Sequence, residues 1–503
     1  MNFDFKKLIP YIAAFVIFYG VIAVYFSPFF DGYTLPQSDV QHWEGMAKEV
    51  KDHRYSEKED PKWTNSMFGG MPAYQITNQD SSNKLSWVNK IFQVKLKGGM
   101  WNLLVAFCAF YILLVLIGIN PWLSIVGGLA FGLSTYNIII LVAGHNTKLG
   151  AIGWMPAVLG AVIFIYRNDK KEVLGLFLLA LFMGLELLAN HVQITYYLGG
   201  LIGIVIIQRF IEAAIKSQWS IFFRKTTIIV IATVIGVLCN FGMLFNTYKY
   251  AKTTIRGKSE LVVKVDKDKS AQDTKGRDGL DWDYITRWSL GREEIASVFL
   301  ANVKGGASGA LISEMENIKG NRGLKDAVVK NYQSGDRSKL VKSYWGNQPF
   351  TSGPVYMGVT VFLLFIVGLV VDKKGYFRWT AIAAIIIYTM LALGRNFESF
   401  NRWVLDVLPM YNKFRAPSMT MVIVQLLLPL IGIWGVNQLI SRKDEIHPLK
   451  VIIPVGFVFT VLIIFLLAPD VFFTFVSDQE ARMLLPGADS SYVSLMDLVQ
   501  EYR

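Results

Sequence analysis

Charge is what this sequence has least of. Asp, Glu, Lys and Arg make up 17% of its 503 residues, against about 25% in an ordinary soluble domain. A chain so poor in charge cannot clothe the surface of several soluble domains. Cysteine is nearly absent as well. Cys108 and Cys239 both lie inside apolar runs, where they read as small buried hydrophobes. They exclude a disulfide framework and a cysteine-based metal site. There is no glycine-rich phosphate loop, which argues against an ATP-driven machine, and no nucleophile elbow or zinc motif. No repeat recurs at a fixed spacing, so neither a duplicated transporter nor a solenoid is supported. The net charge of +12 comes without a basic, aromatic-interleaved motif, so nucleic acid is not an expected partner. Most basic residues fall in short loops, where anionic lipid and topology account for them.

What is abundant is apolar sequence, 53% of the chain. It gathers into runs near 8–29, 100–118, 121–143, 149–166, 172–189, 192–208, 223–246, 354–371, 377–393, 419–438 and 451–468. Each is near the length a hydrocarbon core requires, which predicts an all-α polytopic membrane protein with about eleven transmembrane helices. Pro156 and the glycines around Gly127 are expected to bend their helices. Lys6 and Lys7 precede an apolar stretch too long for a signal-peptide core, and no small-residue cleavage site follows, so 1–29 reads as an uncleaved first helix.

The loops alternate in character. The short segments 167–171, 209–225, 372–378 and 441–450 are mostly net basic and share one side with Lys6 and Lys7. The positive-inside rule makes that side, and the N-terminus, cytoplasmic. The other face receives a first loop over 30–99, a larger loop over 247–353, and a tail over 469–503; bundle segments at 100–246 and 354–468 separate them. In the larger loop, Ile295, Val298 and Phe299 stand at helical spacing. That predicts a helix over 291–303, on the membrane surface or in a small soluble lid.

Several polar clusters fall on the outer face. In "SDVQHWEGM", Asp39 opens a predicted helix over 39–50 with Ser38 as its N-cap, and His42 follows. The plain reading of Asp39 is a carboxylate that complements its own helix dipole. "AGHNTKLGAIGWMP" places His145, Asn146 and Lys148 at the mouth of a helix. This is either a polar interfacial turn or a donor set for an anion. "LELLANHVQITYY" brings Asn190, His191 and Gln193 close behind Glu186, an acid inside an apolar run. Such an acid marks a site by default, although a partnered structural Glu is the alternative. Between two later spans stand Arg395, Arg402, Lys413 and Arg415. A guanidinium there can fork onto a phosphate or snorkel to headgroups.

These stretches, with "FGGMPAY" (68–74), "YWGNQPFTSGPVYMG" (344–358) and "FRAPSM" (414–419), resemble the YfhO-type family of bacterial membrane proteins, a branch of the GT-C class of glycosyltransferases. The likeness runs from about 38 to 419. It implies a GT-C-like helical bundle in a bacterial inner membrane. It also implies transfer of a sugar from a polyprenyl-phosphate donor to an extracytoplasmic acceptor such as an envelope polymer, glycan or protein. Asp39 matches the acidic position of the family's first loop and would inherit the role of general base. His42, His145, Asn146, Lys148, Asn190, His191, Gln193, Arg395 and Arg415 would hold donor and acceptor. Gly69 and Gly70 would allow a close backbone approach, or simply form a turn. Many GT-C enzymes carry paired acids in this loop; here Glu44 is the nearest to Asp39. That leaves a divalent metal open and implies no other cofactor. Family members tend to be longer, so a shortened chain is expected. Two other functions stay open: a transporter or flippase of lipid-linked saccharide, and a non-catalytic scaffold for envelope assembly.

Overall fold

A computed structural model describes residues 5–77, 83–258, 278–314, 321–335, 340–372, 375, 378–484 and 490–503. Residues 259–277 of the larger loop lie outside the described residues, as do Lys373 and Lys374 of the expected 372–378 loop. The described chain is mostly helical, with two short antiparallel strand pairs. It divides into two compact units. The first holds Met1–Leu133 and Asn137–Lys264; the second holds Leu280–Arg503 and Ser134–Tyr136.

Six helices among the described residues are long and apolar enough to cross a membrane, or eight if each bent pair counts as one span. The sequence predicts about eleven, and the difference has local causes. The 100–118 and 354–371 runs become the shorter helices Trp101–Leu116 and Val359–Val371. The 121–143 run breaks into Pro121–Gly132 and Thr135–Ala143, bent by 50°. The Asn137 side chain donates to Phe131 O at 3.0 Å and Gly132 O at 3.3 Å, satisfying carbonyls the break exposes. The 377–393 run joins a second helix through Gly394 in a 114° bend. Gly394 has φ +48°, a left-handed conformation that suits glycine.

In the first unit, Asn146–Arg167 is the central helix, 94% buried along its most apolar window. It packs against Trp101–Leu116 and Glu172–Leu188. The first loop does not form one helix over 39–50 but two, Ser38–Met46 and Lys48–Glu57. Ser38 is not the N-cap. Gln37 holds that position, and its side chain does not cap the helix. Glu49 orders the chain beyond, accepting from Thr64 Oγ1 at 2.5 Å, Asn65 N at 3.0 Å and Ser66 N at 2.9 Å. The Thr64 hydroxyl, then the Ser66 amide, hold its carboxyl below the usual range. Phe68, Gly69 and Gly70 all have positive φ and turn the chain between the paired strands Trp63–Thr64 and Met71–Pro72. A Cβ at Gly70 would come within 2.7 Å of the Trp63 ring. The glycine pair therefore serves a tight turn packed on a tryptophan.

The second unit combines spans with a small mixed body. Pro417–Ser441 is 94% buried and crosses Val359–Val371 closely, because a Cβ on Gly435 would stand 2.4 Å from the Gly368 Cα. The strands Gly305–Ala310 and Lys342–Tyr344 pair antiparallel. The helix Arg322–Gln333 packs on the final helix Ser490–Tyr502 through a core of Leu324, Val328, Leu495, Met496 and Val499. The tail after the last span is thus built into the larger loop's own core. The helix predicted over 291–303 is instead a 3-10 turn, Glu293–Val298, with Glu294, Ser297 and Val298 buried. Glu294 accepts from the Tyr344 hydroxyl and the Gly291 N–H, both at 2.6 Å. Those bonds anchor the segment inside the body.

Candidate functional site

The site begins with a joint between three segments. Gln37 is buried, and its Nε2 donates to Leu141 O at 2.6 Å, Gly98 O at 2.9 Å and Asn146 Oδ1 at 3.3 Å. One amide thus ties the first loop to the end of one membrane helix and the start of the next. Two glycines make room. A Cβ on Gly144, at φ +92°, would stand 3.1 Å from Val40 N. A Cβ on Gly99, at φ +81°, would stand 1.9 Å from Asn146 Oδ1.

This joint delivers Asp39 to the turn before the Asn146–Arg167 helix. Asp39 Oδ2 lies 2.6 Å from His145 Nε2, and His145 Nδ1 lies 2.9 Å from Lys148 Nζ. An ammonium has only donors. Next to charged Lys148, Nδ1 must therefore accept and Nε2 carry the proton, which it donates to Asp39. The row reads carboxylate, imidazole, ammonium. Lys148 sits in the first turn of its helix, where the dipole disfavours a cation. Asp39 offsets that cost, and an incoming anion would do the same. The Asp39 side chain is 50% exposed, so a substrate can reach it.

Beside this row lies a cavity of about 1220 Å³ within the first unit. Trp43, Lys51, Arg54 and Tyr74 line it from the first loop. Asn102, Asn146, Trp154, Asn190 and Asn240 line it from the membrane helices. Among the described residues, no aspartate or glutamate lines it. The lining is amide, indole and cation, which suits a polyhydroxylated ligand that is neutral or negative.

Asp39, His145 and Lys148 are in direct contact, while Asn146 and Asn190 face the cavity. His42 is exposed on the Ser38–Met46 helix. Gln193 donates to the Tyr197 hydroxyl at 2.7 Å. His191 is near enough to His145 and Lys148 to feel their charge; burial, and after it Lys148, push its imidazole below its usual value. Among the groups expected to hold donor and acceptor, it serves as a hydrogen-bonding group. Its Nδ1 is buried with no partner among the described residues. Glu186 is fully buried and accepts from the Thr195 hydroxyl at 3.0 and 2.9 Å, a partnered acid set back from the cavity lining.

Arg395 and Arg415 belong to the second unit, where their guanidiniums already have work. Arg395 donates to the carbonyls of Thr286 at 3.1 Å and Asp283 at 3.2 Å. Arg415 donates to the Tyr284 hydroxyl at 2.8 Å and lies over Trp288. Among the described residues no three His, Cys, Asp or Glu side chains cluster as a bound metal would need. The sequence reading missed Gln37, Asn102, Trp154 and Asn240. The available signal was a lone amide inside an apolar run, as in "MWNLLV" and "VLCNFG". Compared with family models, curated proteins and solved structures, the chain matches none.

Proposed function

We propose that this chain is a membrane glycosyltransferase. It would take a sugar from a polyprenyl-phosphate carrier and pass it to a hydroxyl acceptor on the outer face of a bacterial cytoplasmic membrane. The observation that carries the reading is the Asp39–His145–Lys148 row beside a cavity whose described lining is rich in amides and tryptophan and holds no acid. The resemblance of the same stretches to YfhO-type proteins supports it.

Each step has a residue. The acceptor oxygen attacks the anomeric carbon and its proton passes to Asp39, the general base. The bond from that carbon to the carrier phosphate breaks, and negative charge grows on the leaving oxygen. Lys148 would meet that charge, helped by the first backbone N–H groups of its helix. His145 holds Asp39 in place through the 2.6 Å contact.

The test is transfer of radiolabelled sugar from polyprenyl phosphate to envelope extract by protein in proteoliposomes. Asp39→Asn should lower turnover by about 10²–10⁴-fold, with the melting temperature unchanged. No transfer by the wild-type chain across a panel of donors would overturn the activity. Full activity in Asp39→Asn would remove Asp39 as base.

A further inference from the structure

The amides facing the cavity are of two kinds. Asn240 is satisfied within the protein. Its Nδ2 donates to Gly184 O at 2.9 Å and Gly236 O at 3.2 Å, and its Oδ1 accepts from Asn83 Nδ2 at 3.0 Å. Asn146 Oδ1 accepts from Gln37. Asn102 differs. It is 2% exposed, and its Nδ2 donates to Asn146 O at 3.3 Å. Its Oδ1 is buried and has no hydrogen-bond partner among the described residues. An unsatisfied buried acceptor costs about 1–3 kcal/mol. A ligand that brings a donor relieves that cost.

Three further observations fit. Asn102 lines the cavity, and so does Gly150, whose missing Cβ would stand 3.1 Å from Asn102 Oδ1. A side chain at Gly150 would crowd that oxygen. Trp101, beside Asn102 in sequence, and Trp154 also line the cavity. The Asn102 Nδ2 bond to Asn146 O fixes which way the amide faces, so the oxygen is the free end.

We propose that the cavity binds a saccharide and that Asn102 determines its specificity, its Oδ1 accepting a hydrogen bond from one ring hydroxyl or amide N–H. This deepens the transferase reading and rests on it for the identity of the ligand's lipid-phosphate end. The reading uses binding alone, with no bond made or broken. A site built around a buried acceptor rejects an analogue that lacks the matching donor far more strongly than an apolar pocket rejects a missing methylene.

The experiment is calorimetric titration of the full chain in nanodiscs. The probes are citronellyl-phosphate esters of glucose, galactose, mannose and N-acetylglucosamine, with their methyl glycosides. The best-bound sugar is then presented as its series of mono-deoxy analogues. One deoxy position should lose roughly tenfold or more in affinity on wild-type protein. That loss should vanish in Asn102→Ala and return in part in Asn102→Ser, which restores an acceptor oxygen should the alanine variant not fold. Tight binding of the esters with none of the glycosides assigns the site to a lipid-linked sugar; binding of both assigns it to the saccharide itself. Either supports the proposal. The proposal is overturned if no probe binds, or if the deoxy pattern is the same in wild type and both variants, which would mean Asn102 Oδ1 meets only water. Binding without transfer would instead count against the transferase reading alone.

Discussion

Removing one charge from the Arg503–Glu480 pair should loosen the C-terminal helix by a measurable amount. The Arg503 side chain is 1% exposed and that of Glu480 is 6%. Their contact is two-pronged, at 2.8 and 2.9 Å. Arg503 also donates to Phe475 O at 2.8 Å and Lys342 O at 2.9 Å, and lies over the Trp345 ring. Glu480→Gln keeps the shape but leaves a guanidinium buried with neutral partners. Breaking a buried pair in this way costs about 3–5 kcal/mol. At about 1.4 kcal/mol per decade, local opening should rise by roughly two to three and a half decades. Hydrogen exchange of the Ser490–Tyr502 peptide reads this directly, with Arg322–Gln333 responding in parallel because the two helices share a core. Burial raises the Glu480 carboxyl, but bonds from Arg503 and Ser477 outweigh it and hold it below its usual value. The stabilisation is therefore present above the unfolded carboxylate range of about 4.3 and fades as pH falls through the lower folded value. Wild-type protection, corrected for intrinsic exchange rate, should decline only in that acid window, and the variant should lack the decline. Less than a threefold change in opening at neutral pH would refute the reasoning, since it would mean the pair adds nothing to docking of the tail.

Other outcomes can be checked alongside. Gly99→Ala places a Cβ 1.9 Å from Asn146 Oδ1 at φ +81°. It should cost about 1–3 kcal/mol from the backbone alone and lower the melting temperature, whereas Gly69→Ala, with nothing within 4 Å of its Cβ, should pay only the backbone cost. Lys148→Met should raise the KM for a polyprenyl-phosphate sugar about tenfold, as expected for a lost charged hydrogen bond of about 1.5 kcal/mol; an unchanged KM would take Lys148 off the donor phosphate. Glu49→Gln should speed proteolysis within 64–72, because the carboxylate gathers the Thr64 hydroxyl and two backbone amides; equal cleavage rates would count against that role.

Much of the site was legible because chemistry-bearing residues are rare in this chain. A lone acid after the first helix and "GHNTK" at a helix mouth stand out against apolar sequence, and Asp39, His145 and Lys148 do meet. The membrane character followed from composition for the same reason. What escaped depends on contacts between distant segments. Gln37 looks like any loop glutamine until three segments converge on its amide. Asn102 matters because its oxygen is left over when its nitrogen is used. The apolar runs do not reveal where their helices break: Gly394 and Asn137 act through turn geometry, which hydropathy does not register. The helix predicted over 291–303 failed for a related reason. Its apolar spacing is real, but Glu294 is claimed by Tyr344, fifty residues on, and tertiary bonding overrode the local pattern.

The shared core of Leu324, Val328, Leu495, Met496 and Val499 imposes a rule of parity. A single hydrophobic core cannot be divided by a bilayer, so the chain must leave and return to the same compartment between Met357 and Ala468. That demands an even tally of traverses. Val359–Val371, Pro417–Ser441 and Leu449–Leu467 supply an odd one if each passes through. With those three passing through, Arg378–Ala392 would have to supply the balance, and the 114° elbow after it would then mark where that passage surfaces.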